Sequence, residues 1–192
     1  MARARAEFNP LLGKDGLSAV KSALTEKLSI DSCADLTFLG YVIQEALRRN
    51  PVAPVSSPLE YQKDTKLGNL HVKAGEPIFI NIWGLHHNGN QWQRPFEFLP
   101  DRFDLAHPLS RTPSGAKRST FAWLPFNGGK RVCFGKTFAE YVIKIMVTMM
   151  TQRFNMKFVD QKKYHSGNLP MIHSQISHFP ELLIELSERK SL

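Results

Sequence analysis

The run Phe126-Asn127-Gly128-Gly129-Lys130-Arg131-Val132-Cys133-Phe134-Gly135 leads into an apolar stretch, Phe138–Met150, and together they leave the backbone few options. The paired glycines permit a tight turn, including positive φ. The apolar stretch is interrupted by Glu140 and Lys144 and is too short to cross ~30 Å of hydrocarbon, so it reads as a buried helix starting near Gly135. Cys133 then lies just ahead of a helix N-terminus, where free N–H groups and the positive helix end favour a thiolate. Lys130 and Arg131 add positive potential, Gly135 lets another group approach the backbone, and Phe126 offers a flat apolar wall. A sulfur held this way can act as a nucleophile, a redox sensor or a metal ligand. The plain alternative is a buried structural cysteine beside a glycine turn.

Composition narrows the classes. The chain has 192 residues, which suits one ordinary domain, and an apolar content of 42% can support a core. Its two cysteines, Cys33 and Cys133, are too few for a disulfide scaffold and form no CxxC pair. A reducing or cytosol-facing compartment fits that usage. The formal charge of +8 allows nucleic acid, an anionic membrane or an acidic protein as partner, without choosing among them. The N-terminus carries basic residues with no sustained apolar run behind them, unlike a signal peptide.

Along the chain, Met1–Lys14 lacks periodicity and reads as a ragged beginning. Leu17, Val20, Leu24 and Leu28 recur at helical spacing, predicting an amphipathic helix over Gly16–Leu28. A second helix follows a cap-like Asp35, with Leu36, Leu39, Ile43 and Leu47 on one face and Pro51 limiting its length. Leu70–Val72 and Ile78–Trp83 read as short strands around a turn at Lys73-Ala74-Gly75. Residues Leu85–Ala116 form a long ordered coil in which Trp92, Phe96, Phe98, Phe103 and Leu105 need cover. Phe154–Val159 and Leu182–Leu186 look like strands, with a polar hairpin region between them. The class is mixed α+β, mainly helical, without the alternation of a doubly wound sheet.

The cysteine segment matches the Phe-x-x-Gly-x-Arg-x-Cys-x-Gly loop of the cytochrome P450 family at every fixed position: Phe126, Gly129, Arg131, Cys133 and Gly135. Two further segments resemble that family, in its order. Glu45-Ala46-Leu47-Arg48 matches Glu-x-x-Arg, and Pro95–Phe103 resembles Pro-x-x-Phe-x-Pro-x-Arg-Phe. The resemblance implies that Cys133 is the thiolate ligand of haem iron and that Arg131 holds a propionate. It also implies a buried structural network of Glu45, Arg48 and Arg102. His86, in Ile82-Trp83-Gly84-Leu85-His86-His87-Asn88, takes the place of a family residue near a propionate. Val52, Ala53, Val55 and Ser56 take the place of substrate neighbours, in a segment where the family often carries a propionate-binding Arg and this chain has none.

The resemblance further implies a two-part division. Residues 1–34 are a helical remnant, and residues 35–192 are the C-terminal part of a cytochrome P450 domain: ExxR helix, small sheet, cysteine loop, proximal helix and last strands. The implied cofactor is haem b, with electrons from NAD(P)H through a redox partner. The implied partners are a small hydrophobic organic substrate and an acidic electron-donor protein docking near Lys130, Lys136 and Lys144, with no nucleic acid. The family's Gly-x-Asp/Glu-Thr-Thr run is absent, Thr25-Glu26 not matching it, so no catalytic acid/Thr pair is assigned. The tryptophan/arginine helix and a membrane anchor are likewise not expected in this chain. The implied location is the cytoplasm, or the cytosolic face of the endoplasmic reticulum membrane. Two rival readings are a non-catalytic haem-binding remnant or gene fragment, and a basic interaction module. His165, His173 and His178 lack ligand spacing and read as surface residues.

Overall fold

The computed structural model describes residues 2–12, 35–160 and 183–189. The expected helix at Gly16–Leu28, the polar hairpin region, Cys33 and the three late histidines lie outside the described residues. Among the described residues four helices, α1 (Ala2–Leu12), α2 (Thr37–Arg49), α3 (Ile82–His87) and α4 (Lys136–Arg153), are joined by two small antiparallel sheets and several 3-10 turns.

The ragged beginning is in fact helix α1. Its Ala-Arg-Ala-Arg-Ala-Glu run is made of good helix formers, and Ala4 and Phe8, one turn apart, are buried against Leu36 and Leu39. Two apolar positions are too few to show a period in the sequence. The described part of the first 34 residues therefore shares the core with α2. That core comprises Ala4, Phe8, Leu36, Leu39, Ile43 and Leu47, with Phe38, Phe126, Ile143 and Val147 packed against it.

Asp35 is not the side-chain cap of α2; its backbone carbonyl accepts from Thr37 N–H at 2.8 Å. The capping group comes from α1, where the Glu7 carboxylate accepts Phe38 N–H at 2.6 Å and Leu39 N–H at 2.9 Å. A carboxylate there satisfies two otherwise free donors and complements the helix dipole. Glu7→Ala is expected to cost about 1–2 kcal/mol, measured by urea unfolding, and Glu7→Gln less, because it keeps one acceptor.

Leu70–Val72 is a strand (β2), but its partner is β1 (Thr65–Leu67), in the register Thr65↔Val72, Lys66↔His71 and Leu67↔Leu70. The segment expected as a strand over Ile78–Trp83 makes only single bridges, Leu59↔Ile78 and Val55↔Asn81, before turning into α3. The cause is local: Asn81 Oδ1 accepts Gly84 N–H at 2.8 Å and starts a helix where Ile and Trp suggest a strand.

Helix α4 occupies the expected place but is not a buried helix. Thr148 and Thr151 are its only fully buried residues, while Phe138 is 75% and Met146 59% exposed. Its apolar residues surround the axis, and only the Ile143/Val147 side meets the core. After it, β3 (Phe154–Phe158) pairs antiparallel with β4 (Ile184–Glu188). Among the described residues no helix is long and apolar enough to cross a membrane.

Candidate functional site

Glu45, Arg48 and Arg102 meet in the interior. Arg48 engages Glu45 with two parallel bonds, Nε–Oε2 at 2.7 Å and Nη2–Oε1 at 2.9 Å. Arg102 Nε reaches Glu45 Oε1 at 3.2 Å, and the side chains of both ion pairs are 0% exposed. The i, i+3 spacing on α2 sets the first pair on one helix face, and the 3-10 turn Pro100–Phe103 delivers Arg102. Other guanidinium hydrogens go to backbone carbonyls of the coil and of the end of α3. Arg48 Nη1 donates to His86 and Pro95, each at 2.8 Å, and Nη2 to Glu97 at 3.2 Å. Arg102 donates to Gln93 and Arg94. Charge-assisted bonds thus do for this loop what a sheet would otherwise do for its backbone.

A fourth member is not evident in the sequence. Arg118 lies 3.8 Å over the fully buried Trp92 ring and donates to the Gln91 and Leu109 carbonyls. Burial, then repulsion from Arg102 and Arg48, lowers its pKa to about 10, so it stays charged at neutral pH. Trp92 therefore has the cover expected for it, whereas Phe96, Phe98 and Leu105 are exposed.

The cysteine loop hangs from this frame. Asn127 (φ 59°) and Gly129 (φ 60°) take left-handed conformations, and Asn is among the few non-glycine residues that tolerate it. The reversal lets Cys133 N–H donate to Phe126 O at 2.8 Å, closing the loop. Cys133 itself is exposed and outside any disulfide. The first turn of α4 behind it has no side-chain cap. A Cβ placed on Gly135 would stand 3.8 Å from Cys133 Sγ, in contact with the sulfur. Arg131 and Gly129 are exposed, Phe126 is half-buried, and Phe134 stands wholly in solvent. Among the described residues Arg131 makes no ion pair. An accessible sulfur, a free guanidinium and apolar rings form a donor set that suits one face of a porphyrin with acidic side arms. Among the described residues no three His, Cys, Asp or Glu side chains gather to hold a bare metal ion.

His86 is 0% exposed; its Nε2 accepts Leu124 N–H at 2.9 Å, while its Nδ1 is buried without a hydrogen-bond partner among the described residues. Burial, then repulsion from Arg48 and His87, pulls its pKa down to about 4. His87 is pulled to about 4 as well, mainly by burial; its Nδ1 pairs with Trp83 O at 2.9 Å and its ring stacks on Trp83 and Phe96. Val52 and Val55 are exposed, whereas Ser56 is buried and its hydroxyl accepts Ile80 N–H at 2.9 Å, which ties up its side chain. Lys130 is exposed and Lys136 half-buried, while Lys144 sits beside Gly40 of α2.

Comparison with known proteins accounts for this arrangement. The sequence matches the cytochrome P450 family over residues 3–178, starting well before Asp35. It is 34% identical over 157 residues to the goat (Capra hircus) steroid 17-alpha-hydroxylase/17,20 lyase, covering 81% of this chain and 29% of that protein. It is 34% identical over 152 residues to cytochrome P450 82A4 of Glycine max, covering 76% and 27%. The human steroid 17-alpha-hydroxylase/17,20 lyase is 32% identical over 139 residues, covering 71% and 25%. A glycine-turned cysteine loop, anchored to a buried carboxylate shared by two arginines, defines the class of structure. The chain belongs to the cytochrome P450 family, and it spans about a quarter of the length of the curated relatives it matches.

Proposed function

We propose that this chain is the haem-binding C-terminal part of an O2-dependent monooxygenase, with Cys133 as the axial ligand of haem iron. The reading makes α2 the ExxR helix and α4 the proximal helix. It rests chiefly on one observation: Cys133 is exposed at an uncapped helix N-terminus, inside a loop carrying Phe126, Gly129, Arg131 and Gly135. Haem b, when bound, supplies an iron centre at which dioxygen is reduced and one oxygen atom passes to a small hydrophobic organic substrate. Cys133 would provide the sulfur, and thiolate donation to iron favours O–O cleavage. Arg131 offers a charge-assisted bond to a propionate. Gly129 and Gly135 would let the ring approach the loop backbone, and Phe126 would offer it an apolar face. Glu45, Arg48 and Arg102 set where the loop stands and do not touch the reacting atoms. The cytosolic location and the NAD(P)H-derived electrons belong to this same reading.

The test is a reduced carbon-monoxide difference spectrum of the haem-loaded chain and its Cys133→Ala variant. A Soret band characteristic of thiolate ligation, lost in the variant, supports the ligand. An identical band in both sinks it. A second reading, haem binding without turnover, is favoured by the exposure of Phe134 and Phe138.

Electron delivery would use the basic residues around the loop. Lys130→Glu combined with Lys136→Glu is expected to slow reduction by an acidic donor about tenfold at low salt, with the difference shrinking as salt rises. Stopped-flow reduction checks this, and an unchanged rate and salt slope would place the docking surface elsewhere.

A further inference from the structure

His86 sits where two parts of the molecule join. On one side its carbonyl accepts Arg48 Nη1 at 2.8 Å, linking it to the buried Glu45 network. On the other its Nε2 accepts Leu124 N–H at 2.9 Å. Leu124 begins the short run to Phe126, whose carbonyl accepts Cys133 N–H at 2.8 Å and whose ring packs on the core. One hydrogen-bonded path from the arginine network to the sulfur therefore runs through His86, from its backbone carbonyl to its imidazole.

We propose that His86 is a positioning residue that latches the cysteine loop to the arginine network as a neutral Nδ1–H tautomer, and that protonation of Nε2 opens the latch. The proposal rests on the reading of Cys133 as the presented ligand; the latch is a property of the chain itself. A protonated Nε2 would direct a hydrogen at the hydrogen of Leu124 N–H, turning an attraction into donor–donor repulsion. The ring is fully buried, so no water can take Leu124's place as partner. The charged groups acting on it are the Arg48 guanidinium of α2 and its neighbour His87 on α3, both disfavouring a further positive charge. The Leu47 and Arg48 backbone opposes them weakly, and Glu45 lies behind Arg48, bound to it.

A folded-state pKa of about 4, below the ordinary imidazole value of 6.5, means the closed latch is favoured in full above pH 6.5 and loses ground as pH falls toward 4. With those two values, opening becomes easier by roughly 50-fold between pH 7 and pH 4.5.

The experiment is an NMR pH titration of the full chain without haem, reading imidazole nitrogen shifts and the exchange protection of the Leu124 and Cys133 amides, with helix content followed in parallel. The expected result is a His86 Nδ1–H tautomer at pH 7. Leu124 and Cys133 should lose protection by well over tenfold at pH 4.5 while α2 remains protected. His86→Gln, whose carbonyl can accept Leu124 N–H without titrating, should abolish the pH dependence, and His87→Gln should keep it. A Nε2–H tautomer, acid-independent protection, or simultaneous loss of all protected amides would overturn the latch. So would a His86→Gln variant that tracks the wild type; should it fail to fold, the wild-type titration decides alone. Because haem is absent, the latch can fail while thiolate ligation stands, or hold while ligation fails.

Discussion

Glu45→Ala is expected to abolish folding of the chain at neutral pH, or to lower its unfolding free energy by about 3–5 kcal/mol, out of the roughly 5–15 kcal/mol typical of a whole domain. The reason is bookkeeping of charge. Arg48 and Arg102 are 0% and 1% exposed, and among the described residues Glu45 is the only carboxylate that pairs with them. Without it, two guanidinium ions remain in the interior beside the half-buried Arg118, and the Leu99 N–H that Glu45 Oε1 accepted at 2.8 Å also loses its partner. The exposed pair Arg94–Glu97 is the control: both side chains are 54% exposed, so Glu97→Ala should change stability by no more than about 0.5 kcal/mol. Denaturant titration of both variants checks the contrast, and equal small effects would mean that the buried network does not hold the coil.

The isolated chain is expected to bind haem with a Kd above about 1 μM, corresponding to less than about 8 kcal/mol of binding free energy. A closed cofactor site buries most of its ligand's surface, but the described residues around Cys133 form one wall. Phe134, Phe121 and Phe138 are exposed. Water would then reach bound iron, so most electrons supplied should end in peroxide or water and few in product. Haem titration followed by absorbance measures the first expectation, and product per reductant consumed measures the second. Tight stoichiometric binding with a low-spin thiolate spectrum would contradict both.

How much of this was legible in the sequence depends on the kind of signal. The cysteine loop and the Glu45, Arg48 and Arg102 positions could be named because their chemistry is carried by fixed residue types at fixed spacing. Helix α2 could be placed because Leu36, Leu39, Ile43 and Leu47 repeat over three turns before Pro51. Helix α1 could not, because only Ala4 and Phe8 mark its inner face, and Glu7 acts on an amide 31 residues away, a distance no local pattern encodes. The strand expected over Ile78–Trp83 failed because one side-chain cap at Asn81 outweighed the β-propensity of Ile and Trp. Helix α4 was misjudged in burial for a related reason: apolar composition reports what could be covered, while its exposed methionines report what the described residues do cover. The sequence alone offers His86 for a propionate by its position; only the fold shows that its Nε2 is taken by the Leu124 amide.

The most direct test of the central claim is X-ray absorption at the iron edge on the chain at saturating haem. One sulfur scatterer in the first coordination shell, replaced by nitrogen or oxygen in Cys133→Ser, is the predicted result. A shell of nitrogen and oxygen alone in the unmodified chain, unchanged by that substitution, would contradict it.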